Sequence, residues 1–261
     1  MKIGIIGLGV VGSACRAGFE RLGYTVSVHD IALGTTVESV MDTEIVYVCV
    51  PTPSNPDGSC NTDIVVSVVE SLADYSGVIA IKSTVSPGTT QQLIDQFGDH
   101  IVFVPEFLKE RSAEYDFVFD HRLLLVGTEN VNHYYLVQRS HGSLPQQTQR
   151  VSPTEAEFVK YYHNSFNALR VVFANVFYEM TTSMAANYDT VKQAALSAGN
   201  VPDEYLDVKP ELRGYAGACL PKDVLALQHF CDSNNLAFEL FDAMHRENEK
   251  FKKTVYKGMR L

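Results

Sequence analysis

The chain has 261 residues, 46% of them hydrophobic, so it is long enough to bury a substantial core as one large domain or two smaller ones. Acidic residues outnumber basic ones by 31 to 21, and the formal net charge of −10 argues against nucleic acid as a partner, because binding to a phosphate backbone requires a basic surface. Glycines interrupt the short apolar run at the N-terminus, so we expect a cytoplasmic protein with neither signal peptide nor membrane span.

The first predicted elements are a strand, a glycine-rich turn and a helix. An apolar run at residues 2–6 leads into G-L-G-V-V-G and then into a helical pattern that reaches residue 23. In such a turn the first glycine allows a tight bend, the second lets the backbone approach a pyrophosphate, and the third lets the helix pack closely on the strand. We therefore predict a dinucleotide site formed by Gly7, Gly9, Val10, Val11 and Gly12.

A second predicted strand, at residues 24–29, ends in Asp30. An acidic residue about 20 positions beyond the glycine turn accepts hydrogen bonds from the adenosine ribose of a dinucleotide. Its charge also repels the 2′-phosphate of NADP, so Asp30 favours NAD as the cofactor. The alternative is a glycine-rich turn in an unrelated α/β domain.

Strands and helices alternate along the rest of the first half. The pattern predicts strands at 45–50, 78–82, 101–104 and 122–126, and helices near 62–72 and 89–97. This alternation is typical of a doubly wound parallel sheet of the Rossmann type, in which ligands bind beyond the carboxyl ends of the strands. The residues expected at that edge include Pro51, Thr52, Thr84 and Glu106. The two threonines are explained equally well as ordinary turn residues.

The second half begins with a long predicted helix. Ser152-Pro153-Thr154-Glu155 matches a capping box with proline at the first helical position, and the helical pattern continues to about Asn187. We therefore predict an NAD-binding domain at 1–151 and an all-α central domain at 152–261. Lys160 and Asn164 lie four residues apart on one face of this helix, where solvent exposure is the simplest interpretation.

Apolar residues recur along this helix at steps of three and four, which is the spacing of one helical face. They are Tyr162, Phe166, Leu169, Phe173, Val176, Met180 and Met184. The stripe predicts a homodimer through the helix 153–187, with burial inside a single chain as the alternative.

A helix at 190–198 and a loop precede a segment of small residues that leads to Cys219. The small residues give another molecule access to the thiol, and Lys222 could favour its thiolate form. A buried structural cysteine is the more common case. The five cysteines show no C-x-x-C or Cys/His spacing, so we predict neither a disulfide framework nor a metal site.

Five segments, taken together and in this order, resemble the UDP-glucose/GDP-mannose dehydrogenase family over nearly the whole chain. They are V-P-T-P at 50–53, K-S-T at 82–84, P-E-F-L-K-E at 105–110, A-E-F-V-K at 156–160 with Asn164, and C-L-P-K-D at 219–223. Members of that family serve polysaccharide biosynthesis. They oxidise the primary alcohol of a nucleotide sugar to a carboxylate and pass four electrons to two NAD molecules.

The resemblance implies a role for each matching residue. Cys219 is the nucleophile that attacks the intermediate aldehyde, and Lys160 and Asn164 stabilise the oxyanion. Asp223 orders the hydrolytic water. Further matching positions lie around the reacting sugar or the cofactor: Thr84, Glu106 and Glu110 at the sugar and water, and Pro51, Thr52, Thr84 and Lys222 at the NAD.

The sequence also departs from the family's pattern. The Arg-Ile-Gly segment before the cysteine loop is missing, and Arg213 is a weak substitute for it. Family members continue into a third, nucleotide-binding domain, whereas this sequence stops at residue 261 in a predicted helix, so we expect slow oxidation of UDP-sugars by this chain alone. A β-hydroxyacid-type dehydrogenase acting on a smaller substrate and a non-catalytic NAD-binding protein are the alternatives.

Overall fold

The computed structural model describes residues 1–254, and contacts divide the chain into two units. The first unit comprises Met1–Pro53 and Cys60–Lys160, and the second comprises Ser54–Ser59 and the chain from Tyr161 onward. None of the helices in the described part of the chain is both long and apolar enough to cross a membrane. The helix predicted at the chain's end lies outside the described residues.

The first unit is built on a seven-stranded sheet. Its strands are β1 (Lys2–Ile6), β2 (Thr25–His29), β3 (Ile45–Val48), β4 (Val78–Ile81), β5 (Ile101–Phe103), β6 (Leu123–Gly127) and β7 (Gln147–Val151). They lie in the order β2-β1-β3-β4-β5-β6-β7, and neighbouring strands are parallel except for β5 and β6. The sheet is therefore a mostly parallel one.

Helices cover both faces of this sheet. They are α1 (Val10–Arg21), α2 (Asp63–Ser71), α3 (Thr89–Phe97), α4 (Ala113–Phe119) and α5 (Val131–His141). Phe19 and Phe117 anchor the apolar cluster on one face, and Val69 and Leu93 lie in the cluster on the other. Because the central strands are buried on both sides, β3 and β4 are almost entirely apolar. The predicted Rossmann fold is confirmed.

Sequence reasoning missed α4, α5 and β7. The segment β6-α5-β7 forms a further parallel unit that runs opposite to the first five strands, so the parallel sheet has one antiparallel pairing, between β5 and β6. β7 lies at the sheet edge, and most of its side chains are polar and exposed, which leaves no apolar run to reveal a strand.

The helices of the second half are α6 (Pro153–Ser183), α7 (Tyr188–Ser197), α8 (Leu220–Ser233) and α9 (Leu240–Glu249). α6 begins in the first unit and continues into the second. The predicted capping box is confirmed, because the N–H of Ser152 donates to Glu155 at 2.8 Å and the N–H of Glu155 donates to the Ser152 hydroxyl at 3.3 Å. The helix ends before the predicted residue 187, because Ala185 has a φ of 53° and Asn187 caps α7.

Candidate functional site

The glycine turn between β1 and α1 leaves room for a ligand at one glycine only. A Cβ on Gly7, whose φ is +91°, would lie 2.7 Å from the Cys49 carbonyl oxygen, and a Cβ on Gly12 would lie 1.9 Å from the Gly7 oxygen. Gly9 instead faces open space, with nothing within 4 Å of its Cβ position. No side chain caps α1, which starts at Val10, so its first N–H groups are oriented to bind an anion.

Asp30 stands beside this turn, directly after β2. One carboxylate oxygen accepts the N–H of Leu8 at 2.6 Å, and the other accepts the N–H of Ala32 at 2.8 Å. The bond from Leu8, and then the bond from Ala32, lower the pKa of Asp30 below its usual value. At neutral pH the residue is therefore a fixed anion next to the glycine turn, as required for a ribose acceptor.

Five further predicted residues of the first unit follow β3, β4 and β5, which lie side by side in the sheet and run parallel to β1. Thr52 is buried and Pro51 is exposed. Thr84 is half-buried, and its carbonyl accepts a hydrogen bond from the Cys60 thiol at 3.4 Å. Glu110 begins a short 3-10 turn, Glu110–Ser112. The carboxyl ends of these strands meet at one edge of the sheet, where the glycine turn also lies.

Lys160 and Glu106 form a buried ion pair in the first unit. The ammonium donates to a Glu106 carboxylate oxygen at 2.8 Å and to the Glu106 carbonyl oxygen at 2.7 Å, with side-chain exposures of only 5% and 10%. Burial alone would raise the pKa of Glu106, but attraction to Lys160 and the N–H of Leu108 outweigh it and lower the pKa. The expectation that Lys160 lies on a solvated helix face is wrong.

No role was predicted for a second buried lysine near Glu106, although it begins the K-S-T segment at 82–84. The ammonium of Lys82 donates a hydrogen bond to the Val104 carbonyl oxygen at 3.3 Å and lies 5.8 Å from the centre of the Tyr47 ring. It is 4% exposed and contributes to the lowered pKa of Glu106. The available signal was a lysine directly after a fully apolar strand, since lysine is rarely buried without a reason.

In the second unit the structure brings Asn164, Asp223 and Lys222 together. The amide of Asn164 donates to one Asp223 oxygen at 2.6 Å, and the Lys222 ammonium donates to the other at 2.8 Å. Asp223 and Asn164 are buried, and Asp223 lies in the first turn of α8, where the helix dipole favours a negative charge. The solvated-face interpretation is therefore wrong for Asn164 as well.

Cys219 occupies the N-cap position of α8, and its carbonyl accepts the N–H of Asp223 at 2.9 Å. It is the exposed cysteine of the chain, whereas Cys15, Cys60 and Cys231 are buried and Cys49 is intermediate. The alternative of a buried structural cysteine is therefore wrong. A helix N-terminus also favours the thiolate form of a cysteine.

Arg213 is held inside the second unit. Its guanidinium bonds to Asn175 at 2.6 Å and to Glu179, and it stacks over the Tyr178 ring at 4.9 Å. These contacts argue against the idea that Arg213 reaches a substrate bound elsewhere. No group of three or more His, Cys, Asp or Glu side chains within residues 1–254 is arranged to hold a metal ion.

The sheet, the glycine turn and the acidic residue after β2 together define a dinucleotide-binding α/β protein. Two sequence models of one family match it: the NAD binding domain of the UDP-glucose/GDP-mannose dehydrogenase family at residues 32–141, and the central domain of that family at residues 154–250. The chain belongs to the UDP-glucose/GDP-mannose dehydrogenase family.

Individual relatives agree with this assignment. A UDP-glucose 6-dehydrogenase of Rickettsia felis is 25% identical over 222 residues, covering 81% of this chain and 49% of the relative. One from Pseudomonas aeruginosa is 26% identical over 256 residues, covering 92% and 54%. The chain thus spans about half the length of these curated relatives.

Among solved structures, a UDP-glucose dehydrogenase from Pyrobaculum islandicum superimposes with a TM-score of 0.86 at 24% identity, covering 95% of this chain and 68% of the other. The UDP-D-ManNAc dehydrogenase from Pyrococcus horikoshii superimposes with a TM-score of 0.81 at 20% identity, covering 96% and 68%. At these identities the likeness shows the shared fold.

Proposed function

We propose that this chain is the NAD-binding and catalytic part of a nucleotide-sugar dehydrogenase, which oxidises the primary alcohol of a UDP-glucose-like substrate to a carboxylate. The observation that carries the proposal is that the polar side chains matching the family's motifs are buried and bonded to one another, Lys160 with Glu106 and Asn164 with Asp223. Burying such groups is costly, and perturbed ionisable clusters concentrate at functional sites. The proposed domains are 1–151 for NAD and 152–261 for catalysis.

The glycine turn and Asp30 fit NAD. Open space at Gly9 admits a pyrophosphate to the N-terminus of α1, where Val10 and Val11 begin the helix. The Asp30 carboxylate would accept hydrogen bonds from the ribose hydroxyls, and Pro51, Thr52 and Thr84 follow strands at the same edge of the sheet. NAD, when bound, supplies the acceptor for hydride from the substrate carbon.

Asp30→Asn is expected to weaken NAD binding about tenfold and to narrow the preference for NAD over NADP, because the 2′-phosphate no longer meets a full negative charge. Fluorescence titration of both cofactors measures this. Asp42→Asn is the matched control, since the Asp42 side chain is 94% exposed and its change should leave both affinities unaltered. Equal affinity of the parent chain for NAD and NADP would contradict the role of Asp30.

The proposed chemistry gives each catalytic residue one task. The Cys219 thiolate attacks the carbon of the intermediate aldehyde, so that a C–S bond forms and the carbonyl oxygen becomes an oxyanion. The ammonium of Lys160 and the amide of Asn164 stabilise that oxyanion. Loss of hydride from the same carbon leaves a thioester on Cys219.

Hydrolysis completes the proposed reaction. A water ordered by Asp223 attacks the thioester carbon, and the C–S bond breaks to release the carboxylate and the thiolate. Water supplies the second oxygen of the product. The first oxidation removes a hydride from the alcohol carbon and releases the hydroxyl proton to give the aldehyde, the second removes a hydride from the carbon bonded to Cys219, and together they remove four electrons. Thr84, Glu106 and Glu110 are proposed to position the sugar and this water, and Lys222, bonded to Asp223, is proposed to lie near the cofactor.

The direct test of the proposed function is calorimetric titration of residues 1–261 with NAD and a panel of nucleotide sugars, followed by NADH production from each sugar that binds. Two NADH per carboxylate from a UDP-sugar is the expected stoichiometry. NAD binding without NADH from any nucleotide sugar would support a non-catalytic protein. Turnover of a small hydroxyacid by a Cys219→Ala variant at the parent rate would support a β-hydroxyacid-type enzyme.

We further propose that a second copy of the chain packs on α6. Of the predicted apolar stripe, Leu169 and Val176 pack against the intrachain cluster around Val172 and Met244. The other members are exposed in this chain: Tyr162 by 74%, Phe166 by 43%, Phe173 by 54%, Met180 by 56% and Met184 by 81%. Contiguous exposed aromatic and methionine side chains are typical of an interface.

Phe173→Glu is expected to weaken dimer affinity more than tenfold, because it places a charge in the middle of the apolar face. There the ring centres of Phe173 and Phe177 lie 4.5 Å apart. Sedimentation equilibrium at micromolar loading measures the association. Tyr115→Glu is the control, since Tyr115 is a similarly exposed aromatic residue on α4 of the first unit. A parent chain that remains monomeric at all concentrations would contradict the proposed dimer.

A further inference from the structure

Asn248 is a buried amide on an apolar helix face. It shares the inner face of α9 with Phe241 and Met244, which pack in the cluster that contains Tyr215 and Val224. Asn248 itself is 1% exposed. A buried amide is destabilising unless its oxygen and its nitrogen both form hydrogen bonds. The partners of Asn248 therefore indicate its structural role.

Both polar atoms of Asn248 bind the backbone of a single residue, Tyr215. The Asn248 Oδ1 accepts the Tyr215 N–H at 2.8 Å, and the Nδ2 donates to the Tyr215 carbonyl oxygen at 3.0 Å. The side chain thus pairs with the peptide backbone much as a neighbouring strand would. Gly214 makes room for this, because a Cβ there would lie 2.7 Å from Oδ1.

The contact continues on the N-terminal side of Tyr215. The N–H of Thr254 donates to the Gly214 carbonyl at 3.0 Å, and the Thr254 hydroxyl donates to the Arg213 carbonyl at 2.8 Å. The backbone of residues 213–215 is therefore attached to the segment that starts at Asn248 and runs to Thr254.

Only three small residues, 216–218, separate this attachment from Cys219. Gly217 turns the chain with a φ of +85°, and Cys219 then occupies the N-cap position of α8. The loop is thus held at its beginning by Asn248 and at its end by the first turn of α8. The backbone position of Cys219 therefore depends on both attachments.

We propose that Asn248 is a positioning residue for Cys219, acting through the backbone of Tyr215. The proposal rests on the proposed function, because that function makes Cys219 the nucleophile. A thiol that must attack one carbon gains from a loop that is fixed before the substrate arrives, since small displacements of a reacting group cost large factors in rate.

Hydrogen–deuterium exchange of the full chain tests the attachment directly. Asn248→Ala is expected to speed amide exchange in residues 214–218 at least tenfold, with little change in the middle of α8 or in the first unit. Gln228→Ala is the matched control, because Gln228 also binds the backbone of α9, at the N–H of Asp242 (3.1 Å), but does not contact Tyr215. Unchanged exchange at 214–218, or equal acceleration throughout the second unit, would overturn the proposal.

Asn248→Asp is a second variant that distinguishes a positioning role of Asn248 from a merely structural one. It also replaces Asn248→Ala as the test if the alanine variant does not fold. A carboxylate cannot donate to the Tyr215 carbonyl, whereas the protonated acid has the hydrogen-bonding pattern of the amide. Protection of residues 214–218 should therefore be lost at pH 8 and recover towards pH 5. The nearby titratable groups are His245 and Glu249, the latter paired with Lys253 at 2.6 Å, so the parent chain and Gln228→Ala are measured at the same pH values. Failure of protection to recover at pH 5 would count against the proposal.

The link to the thiol is tested with iodoacetamide as the probe, by following alkylation of Cys219 with peptide mass spectrometry. Release of the loop is expected to change that rate at least about fivefold in Asn248→Ala and to leave it unchanged in Gln228→Ala. An unaltered rate in a variant whose loop exchanges rapidly would overturn the link. Exchange and alkylation are measured without turnover, so they test the attachment of the loop separately from the proposed function. If Asn248→Ala releases the loop but turnover does not require Cys219, only the proposed function is refuted.

Discussion

Cys219→Ser is expected to lower carboxylate formation by a factor on the order of 1,000 or more, while NAD affinity stays unchanged. A serine hydroxyl at the start of α8 is far less ionised than a thiol and is a poorer nucleophile without an adjacent general base. The parent chain and the variant are compared by NADH production from UDP-glucose and from its 6-aldehyde. The aldehyde isolates the step that requires the nucleophile.

The control for this variant is Cys231→Ala, which removes a buried cysteine further along the same helix. Its rates should match those of the parent chain. Mass spectrometry of the parent chain mixed with the aldehyde and NAD should show sugar attached to the peptide that contains Cys219. Acid formation by Cys219→Ser at the parent rate, with no adduct in the parent chain, would disprove covalent catalysis at this residue.

Lys160→Met is expected to destabilise the fold at neutral pH by about 3–5 kcal/mol, because it leaves Glu106 as a buried charge without its main partner. Urea unfolding followed by circular dichroism measures the loss, since the chain has no tryptophan. Arg16→Met is the matched control. Arg16 and Glu20 form a half-exposed pair on α1, and removing such a pair costs about 0–1 kcal/mol.

The pH dependence of this loss follows from the direction of the Glu106 shift. In the parent chain the pKa of Glu106 is lowered, so its ion pair stabilises the fold above the unfolded value of about 4.3 and is lost as the pH falls through the native pKa. Without Lys160, we expect burial to raise the pKa of Glu106. Protonation of Glu106 at low pH then removes the buried charge and restores part of the variant's stability. The difference between parent and variant should therefore shrink between pH 7 and pH 4.

A second variant identifies the cause. Lys160→Met combined with Glu106→Gln should recover much of the lost stability, because the buried charge is then absent from both sides of the pair. If Lys160→Met costs no more than Arg16→Met, or costs the same at pH 4 as at pH 7, the ion pair does not hold Glu106 in its charged form.

Elements whose signal is local were predictable from the sequence. The strand, glycine turn and helix at residues 2–21 are specified by an apolar run, by the positive φ of Gly7 and by the lack of room for a Cβ at Gly12. The capping box at Ser152 and Glu155 specifies the start of α6 in the same way. α3, predicted at 89–97, spans those residues because its apolar spacing is unambiguous.

Other features were decided by tertiary structure, since they depend on residues distant in the sequence. The edge strand β7 is polar and is defined by pairing with β6, and the antiparallel pairing of β5 and β6 depends on a connection whose helix α4 packs against α1. Lys160 has the spacing of a solvent-exposed residue. It is buried because the carboxylate of Glu106, 54 positions earlier, forms an ion pair with its ammonium group. A charge pattern along one helix cannot reveal such a partner, because the free energy of burying the charge depends on what the folded chain places against it.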